Sequence, residues 1–212
     1  GAWIAIVTGA GKAFCVGADL RDGQHSAGEF PGTFWEKPTQ NSFESGWEIF
    51  KPVIAAVNGH CLGYGLTMVT WCDFVIASEE ATFGFPEVRL GLPTIVGAIR
   101  LPERIGWERA MELLLTGEPL DARRAYEVGL VNRVVPDPEL RSEAVRLARR
   151  IADNAPLSVR AAKAMVHATA GRDLGEAVEE GWRLFEPVYR SEDAQEGPRA
   201  FVERRPPVWK GR

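Results

Sequence analysis

The sequence predicts an α/β fold, with a parallel-sheet core in the first half of its 212 residues and a helical layer in the second. Three observations predict it. Short β-rich runs pass at once into glycine turns and short helical stretches, the order that a layered α/β core requires. The run Val53, Ile54, Ala55, Ala56 and Val57 is apolar at every position, as a strand covered on both faces must be. From Glu103 onward, apolar residues recur at helical spacing with charges between them. The break between the halves falls near Pro136, which gives a core of residues 1–135 and a helical region of residues 136–212.

The elements follow in order. Trp3 to Val7 reads as a strand, closed by the turn residues Thr8, Gly9, Ala10 and Gly11. The chain opens inside this strand, so the first strands of the domain are expected upstream of Gly1. Arg21 to Gly46 is rich in Gly, Pro, Ser and charge with weak periodicity, the pattern of a surface excursion, and loops of that length often act as lids. After the strand Val53–Val57, Asn58 to His60 turn the chain and Tyr64 to Trp71 form two turns of helix. Phe74 to Ala77 is a strand and Thr82–Phe83 a shorter one, followed by the Gly- and Pro-spaced stretch Gly84 to Pro93. Helices are expected over Trp107–Leu115, Asp121–Val128, Arg141–Asp153, Leu157–Ala170 and Leu174–Tyr189, with a strand over Leu130–Val134.

Composition narrows the function. Lys and Arg number 25 against 29 Asp and Glu, and the two signs are mixed along the chain, so nothing draws it to nucleic acid or an anionic membrane. No apolar run reaches the ~18 residues of a membrane span, and the cytoplasm is the expected location. Cys15, Cys61 and Cys72 are an odd set in apolar surroundings, read as free thiols rather than a disulfide scaffold.

Several motifs fail on inspection. Thr8-Gly9-Ala10-Gly11-Lys12 has Ile6 and Ala13 where a phosphate loop needs glycine and a hydroxyl residue, and Phe14 where a dinucleotide turn needs glycine. His25, His60 and His167 are too widely spaced for a metal site, and no serine stands in a nucleophile elbow. His60 either lines a site or satisfies a turn.

Two places join a strand end to clustered glycines: Phe14 to Leu20, and Asn58 to Gly65. Their glycines are either tight turns or a means of bringing backbone N–H groups onto one oxygen, where a helix starting after Gly63 adds its positive end. Such a donor pair stabilises the oxyanion of an enolate. Glu87 has Phe83, Gly84, Phe85, Pro86, Val88 and Leu90 about it in sequence, and apolar company raises a carboxyl toward proton transfer near neutrality. The alternative is a surface carboxylate paired with Arg89.

These residues resemble the enoyl-CoA hydratase/isomerase, or crotonase, family. The resemblance is carried by Gly11 to Leu20, Lys51 to His60, Cys72-Asp73-Phe74 and Ala81 to Glu87, by Leu113 to Gly117, Ala122, Ala125 and Gly129-Leu130-Val131, and by Ser191 to Ala194, Glu196, Gly197 and Phe201. It implies a crotonase-like spiral of ββα units with a C-terminal helical trimerisation region, homotrimers or dimers of trimers, and acyl-CoA substrates in fatty acid metabolism. It implies no metal and no cofactor beyond the CoA moiety. By position the oxyanion donors are the N–H groups of Ala18 and Tyr64, with Ala18, Asp19, Leu20 and Arg21 along the CoA.

Two departures bear on mechanism. Tyr64 in Gly63-Tyr64-Gly65 places a bulky ring where family members commonly carry glycine. Of the two glutamates that face substrate in the hydratases, the one that moves a proton at Cα is matched by Glu87, while the one that orients water falls on Thr67, which is no base at neutral pH. The expectation is therefore slightly in favour of single-glutamate double-bond isomerisation over hydration, with Thr67 or Tyr64 placing water in the latter. Decarboxylation and a non-catalytic acyl-CoA-binding or assembly role are the alternatives. Tyr64 and Trp71 suggest a shaped acyl pocket. Trp47 and Phe50 either close over it or pack in a helix interface.

Overall fold

The computed structural model describes residues 2–18 and 51–212. Its strands are β1 (Ala5–Thr8), β2 (Ala13–Cys15), β3 (Val53–Val57), β4 (His60–Leu62), β5 (Phe74–Ser78), β6 (Thr82–Gly84), β7 (Leu120–Asp121) and β8 (Arg133–Val135). They form two four-stranded sheets, in the orders β1-β3-β5-β8 and β2-β4-β6-β7. Each pass of the chain thus adds one strand to each sheet: β3 then β4, β5 then β6. The helix α1 (Tyr64–Trp71) closes the first of these passes, and a 3-10 turn over Pro86–Leu90 followed by α2 (Val96–Ile105) closes the second. This is the expected spiral of ββα units.

The strand chemistry fits. All five residues of β3 are buried, as an apolar strand covered on both faces requires. β4 pairs in parallel with β2 and with β6, and β5 with β8, while β6 and β7 run antiparallel. Asn58 joins the first turn to the second. Its Oδ1 accepts from the Gly9 N–H at 2.9 Å, and its Nδ2 donates to the carbonyls of Gly11 and Ala13 at 2.9 and 3.4 Å. A Cβ on Gly59 would lie 2.1 Å from the Lys12 carbonyl oxygen, so the two turns touch backbone to backbone. Gly9 serves this packing, a Cβ there lying 2.1 Å from the Ala13 carbonyl oxygen, whereas Gly11 supplies the turn's φ of +78° with open space about it.

The remaining helices among the described residues are α3 (Trp107–Thr116), α4 (Ala122–Glu127), α5 (Leu140–Ala152), α6 (Pro156–Thr169), α7 (Leu174–Tyr189) and α8 (Glu192–Glu203). The described residues divide into two compact units, one of residues 2–6, 51–54 and 144–212, the other of residues 7–18 and 55–143. The larger holds every element discussed below as the site. In the other, the chain beyond α8 is tied back to that helix's start. Asp193, buried, accepts from the Lys210 and Gly211 N–H groups at 2.7 and 2.9 Å. Arg205 and the Val208 N–H hold the Glu196 carboxyl down to about 2.

Several elements differ from the sequence reading, which does not expect the short strands β2, β4 and β7. The sequence reading also leaves α2 and α8 unassigned; each carries an internal proline, Pro102 and Pro198, as does the expected α7 at Pro187. α8 is held by its Ser191 cap, whose Oγ accepts from the Ala194 N–H at 3.2 Å, and by the returning tail. The strand expected over Leu130–Val134 begins only at Arg133, because the Leu130 and Val131 N–H groups close α4 by donating to the Ala125 carbonyl at 2.9 and 3.1 Å. Among the described residues, no helix is long and apolar enough to cross a membrane.

Candidate active site

The site is built where β2 and β4 end. β4 stops at Leu62, and Gly63 turns the chain into α1 with φ 56° and ψ −120°, a backbone that a residue with a Cβ strongly resists. The Thr67 N–H donates to the Gly63 carbonyl at 3.0 Å, and Tyr64 is the first residue of α1, so its N–H lies at the helix's positive end. Gly65 seats the same turn on β2: a Cβ there would lie 2.2 Å from the Cys15 carbonyl oxygen. Tyr64, between these two glycines, has neither constraint, which is how the chain accommodates a ring there.

β2 runs from Cys15 into Val16, Gly17 and Ala18. Gly17 has φ +90°, and its Cβ position is 3.6 Å from the Tyr64 nitrogen and 4.0 Å from the Gly63 Cα. The segment ending in Ala18 therefore lies against the amino end of α1. This is the juxtaposition an oxyanion cradle needs.

β6 brings in the carboxylate. Leu62 pairs with Gly84, and the Gly63 N–H donates to the Gly84 carbonyl at 2.9 Å, three residues before Glu87. Glu87 lies on the 3-10 turn Pro86–Leu90, which Gly91 closes in the left-handed conformation. A Cβ on Gly63 would lie 3.3 Å from Glu87 Oε1 and 3.9 Å from the Gly17 Cα, so Gly63 stands between the carboxylate and the other glycine turn. Among the described residues, Glu87 Oε2 is buried without a hydrogen-bond partner. Burial raises the carboxyl above its ordinary range, opposed only by a hydrogen bond from its own backbone N–H.

Arg89 does not neutralise this carboxylate. Its Nε donates to the Thr116 carbonyl at 3.1 Å, and its Nη2 lies 3.6 Å from Glu118 Oε1. Of the apolar neighbours named from sequence, Phe83 and Phe85 are buried, whereas Val88 and Leu90 are exposed.

The other candidates separate. Thr67 is buried one turn into α1, and its carbonyl accepts from Thr70 Oγ1 at 2.7 Å. His60 is exposed and its Nδ1 is 2.8 Å from Thr82 Oγ1, its partner across β4 and β6, so it satisfies the sheet. None of the three cysteines is in a disulfide, and burial pushes the Cys61 thiol well up. Among the described residues, no group of three or more His, Cys, Asp or Glu is placed to hold a metal ion. Asp19, Leu20, Arg21, the excursion to Gly46, Trp47 and Phe50 lie outside the described residues.

The sequence reading missed Arg100 and Arg104 of α2. Arg100 donates to the Thr70 carbonyl through Nε and Nη2, at 3.3 and 3.0 Å, and Arg104 Nη2 donates to the carbonyls of Thr70 and Cys72, at 2.6 and 2.5 Å. Contacts to main-chain carbonyls some 30 residues away leave no spacing signature.

Two glycine-shaped backbone turns beside a desolvated carboxylate make an arrangement suited to moving a proton next to a carbonyl group whose oxygen the backbone holds. The chain belongs to the enoyl-CoA hydratase/isomerase family, whose sequence profile matches residues 2–212. It is similar to a Dictyostelium discoideum protein named "Probable enoyl-CoA hydratase, mitochondrial", 41% identical over 96% of this chain and 73% of the relative. It is 40% identical to a carnitinyl-CoA dehydratase of Proteus mirabilis, over 99% of this chain and 82% of that one. Among solved structures, an enoyl-CoA hydratase of Mycobacterium marinum superposes with a TM-score of 0.86 at 37% identity, covering 99% of this chain and 81% of that chain.

Proposed function

We propose that this protein forms an enolate from an acyl-CoA thioester, with the N–H groups of Ala18 and Tyr64 on the thioester oxygen and Glu87 as acid and base. The observation that carries the reading is the placement of Glu87: one oxygen lies against the Gly63 turn, the other is buried without a partner among the described residues, and the carboxyl is raised by burial. A group so poised takes up and returns protons near neutral pH.

With Thr67 where a second carboxylate would stand, the net reaction favoured is double-bond isomerisation. Glu87 takes the proton from Cα of a 3-enoyl thioester, the charge spreads onto the held oxygen, and the same carboxyl returns the proton at Cγ. The product has the mass of the substrate. A second reading is hydration or dehydration, favoured by the names of the Dictyostelium and Proteus relatives. There Glu87 handles the Cα proton, and Thr67 or Tyr64 places the water.

The CoA moiety is proposed to lie along Ala18, Asp19, Leu20 and Arg21, with no other cofactor and no metal. Assembly as a homotrimer or dimer of trimers is supported by α7, on which Leu174, Val178, Trp182, Phe185 and Tyr189 recur at helical spacing and are exposed, Leu174 to 80% and Trp182 to 66%. The proposed location is the cytoplasm.

The test is product analysis on matched 2-enoyl-CoA and 3-enoyl-CoA, by chromatography with mass detection. Double-bond migration without mass change, lost in Glu87→Gln, establishes isomerisation. Gain of one water establishes hydration, and loss of carbon dioxide from a carboxyacyl-CoA establishes decarboxylation. Tight acyl-CoA binding without turnover shows a binding protein and overturns the catalytic reading.

A further inference from the structure

α1 is short, and both of its ends are held by other elements. At its amino end Gly65 packs on the Cys15 backbone, and Gly63 on the Glu87 carboxylate. At its carbonyl end, where a helix carries partial negative charge, Thr70 and Cys72 accept four N–H contacts from the guanidinium groups of Arg100 and Arg104. Arg100 is also laid over the Trp71 ring, its Cζ 3.9 Å from the centroid. Both arginines belong to α2. The start of α2 is seated on the residue leading into the glutamate turn: a Cβ on Gly97 would lie 2.4 Å from Cζ of Phe85. One helix therefore grips the far end of the oxyanion helix and rests on the side chain two residues before Glu87.

We infer that Arg100 and Arg104 are positioning residues for the reaction: through α2 they fix the Tyr64 N–H relative to the Glu87 carboxyl. The inference rests on the acyl-CoA reading above and deepens it. Both arginines contact α1 at its carbonyl end, the end opposite Tyr64. Their effect reaches the chemistry because α1 is a rigid rod: freed at Thr70 and Cys72, it pivots about Gly63 and Gly65, and the N–H at its amino end loses its aim. Misplacement by about 1 Å is enough to lower a rate by about a hundredfold while leaving most binding contacts in place.

The test measures carbonyl polarisation directly. An aromatic enoyl-CoA bound in an oxyanion cradle shows its absorption band moved to longer wavelength, because hydrogen bonds to the thioester oxygen draw charge toward it. The band position, Kd, kcat and KM are measured for the unaltered protein, Arg104→Met, Arg100→Met and the double variant. Expected are a kcat lower by about tenfold in each single variant and about a hundredfold in the double, KM and Kd within about threefold of the unaltered protein, and a band shift reduced in step with kcat. Arg104→Lys, which keeps the charge without the guanidinium fork, recovers part of the shift. If Arg104→Met fails to fold, Arg104→Gln, which keeps one uncharged donor, is read the same way.

A full band shift and unchanged kcat in the folded variants overturn the inference. A loss of kcat matched by an equal loss of binding, with the residual bound band unmoved, also overturns it, since that is the mark of a merely structural role. No shift and no turnover in the unaltered protein overturn the acyl-CoA reading itself, and this inference with it.

Discussion

Gly63 and Glu87 are fitted to one another: a Cβ on Gly63 would stand 3.3 Å from Glu87 Oε1 and 3.7 Å from its Cδ, on a backbone with φ 56° and ψ −120°. The backbone conformation demands glycine, and a Cβ would press on the end of the glutamate side chain. Gly63→Ala is expected to cost about 1–3 kcal/mol of stability from the strained backbone. Its activity falls by about a hundredfold as the carboxyl and the Tyr64 N–H are pushed apart. Urea unfolding and kcat on the enoyl-CoA substrate check the two effects separately.

Glu87→Gln removes the proposed proton carrier while keeping the shape, and kcat is expected to fall by about 10²–10⁴-fold. The same substitution stabilises the fold at neutral pH. Burial raises the folded carboxyl above its unfolded value, so the stability linked to this group is full below the unfolded value and is lost as pH rises through the folded one. Replacing it by an amide removes that loss, and the thermal midpoint at pH 7 rises above that of the unaltered protein. Where Glu87 acts as base, the limiting rate of the unaltered protein increases with pH through the raised value.

Asn58→Ala strips the connection between the first two turns of the spiral. The Gly9 N–H loses its acceptor, and the Gly11 and Ala13 carbonyls lose their donor. A destabilisation of about 1–3 kcal/mol is expected by urea titration, from polar groups left without partners. His60→Ala, which removes only the exposed contact to Thr82, costs less than about 1 kcal/mol.

Thr67→Glu puts a carboxylate at the position that the family resemblance matches to a water-orienting glutamate. The expected outcome is a larger share of hydrated product relative to double-bond migration. It comes with lower stability, because Thr67 is buried and a carboxyl there must be desolvated. The product ratio from one substrate measures the change independently of total activity.

The strand Val53–Val57 and the helix Tyr64–Trp71 were legible from the sequence to the residue, because a fully apolar β run and a glycine-bounded helix leave strong local signals. The Glu87 neighbourhood was legible only in part. Phe83 and Phe85 are buried as its context suggested, but the exposed Val88 and Leu90 show that sequence neighbours on a 3-10 turn do not all shield the same side chain. α2 and α8 went unassigned, and each accommodates an internal proline, Pro102 and Pro198, as the expected α7 does Pro187. The role of Gly63 against Glu87 depends on β4–β6 register, and that of Arg100 and Arg104 on carbonyls of another helix. Neither relationship has a local sequence signal.

In the proposed reaction Glu87 moves a proton at Cα of an acyl-CoA thioester. Exchange of that proton with solvent tests this: a saturated acyl-CoA or a 3-enoyl-CoA is incubated with the protein in D2O and the label at Cα followed by NMR and mass. Exchange with the unaltered protein, abolished in Glu87→Gln while acyl-CoA still binds, is the predicted result. Exchange that continues undiminished in Glu87→Gln contradicts the claim.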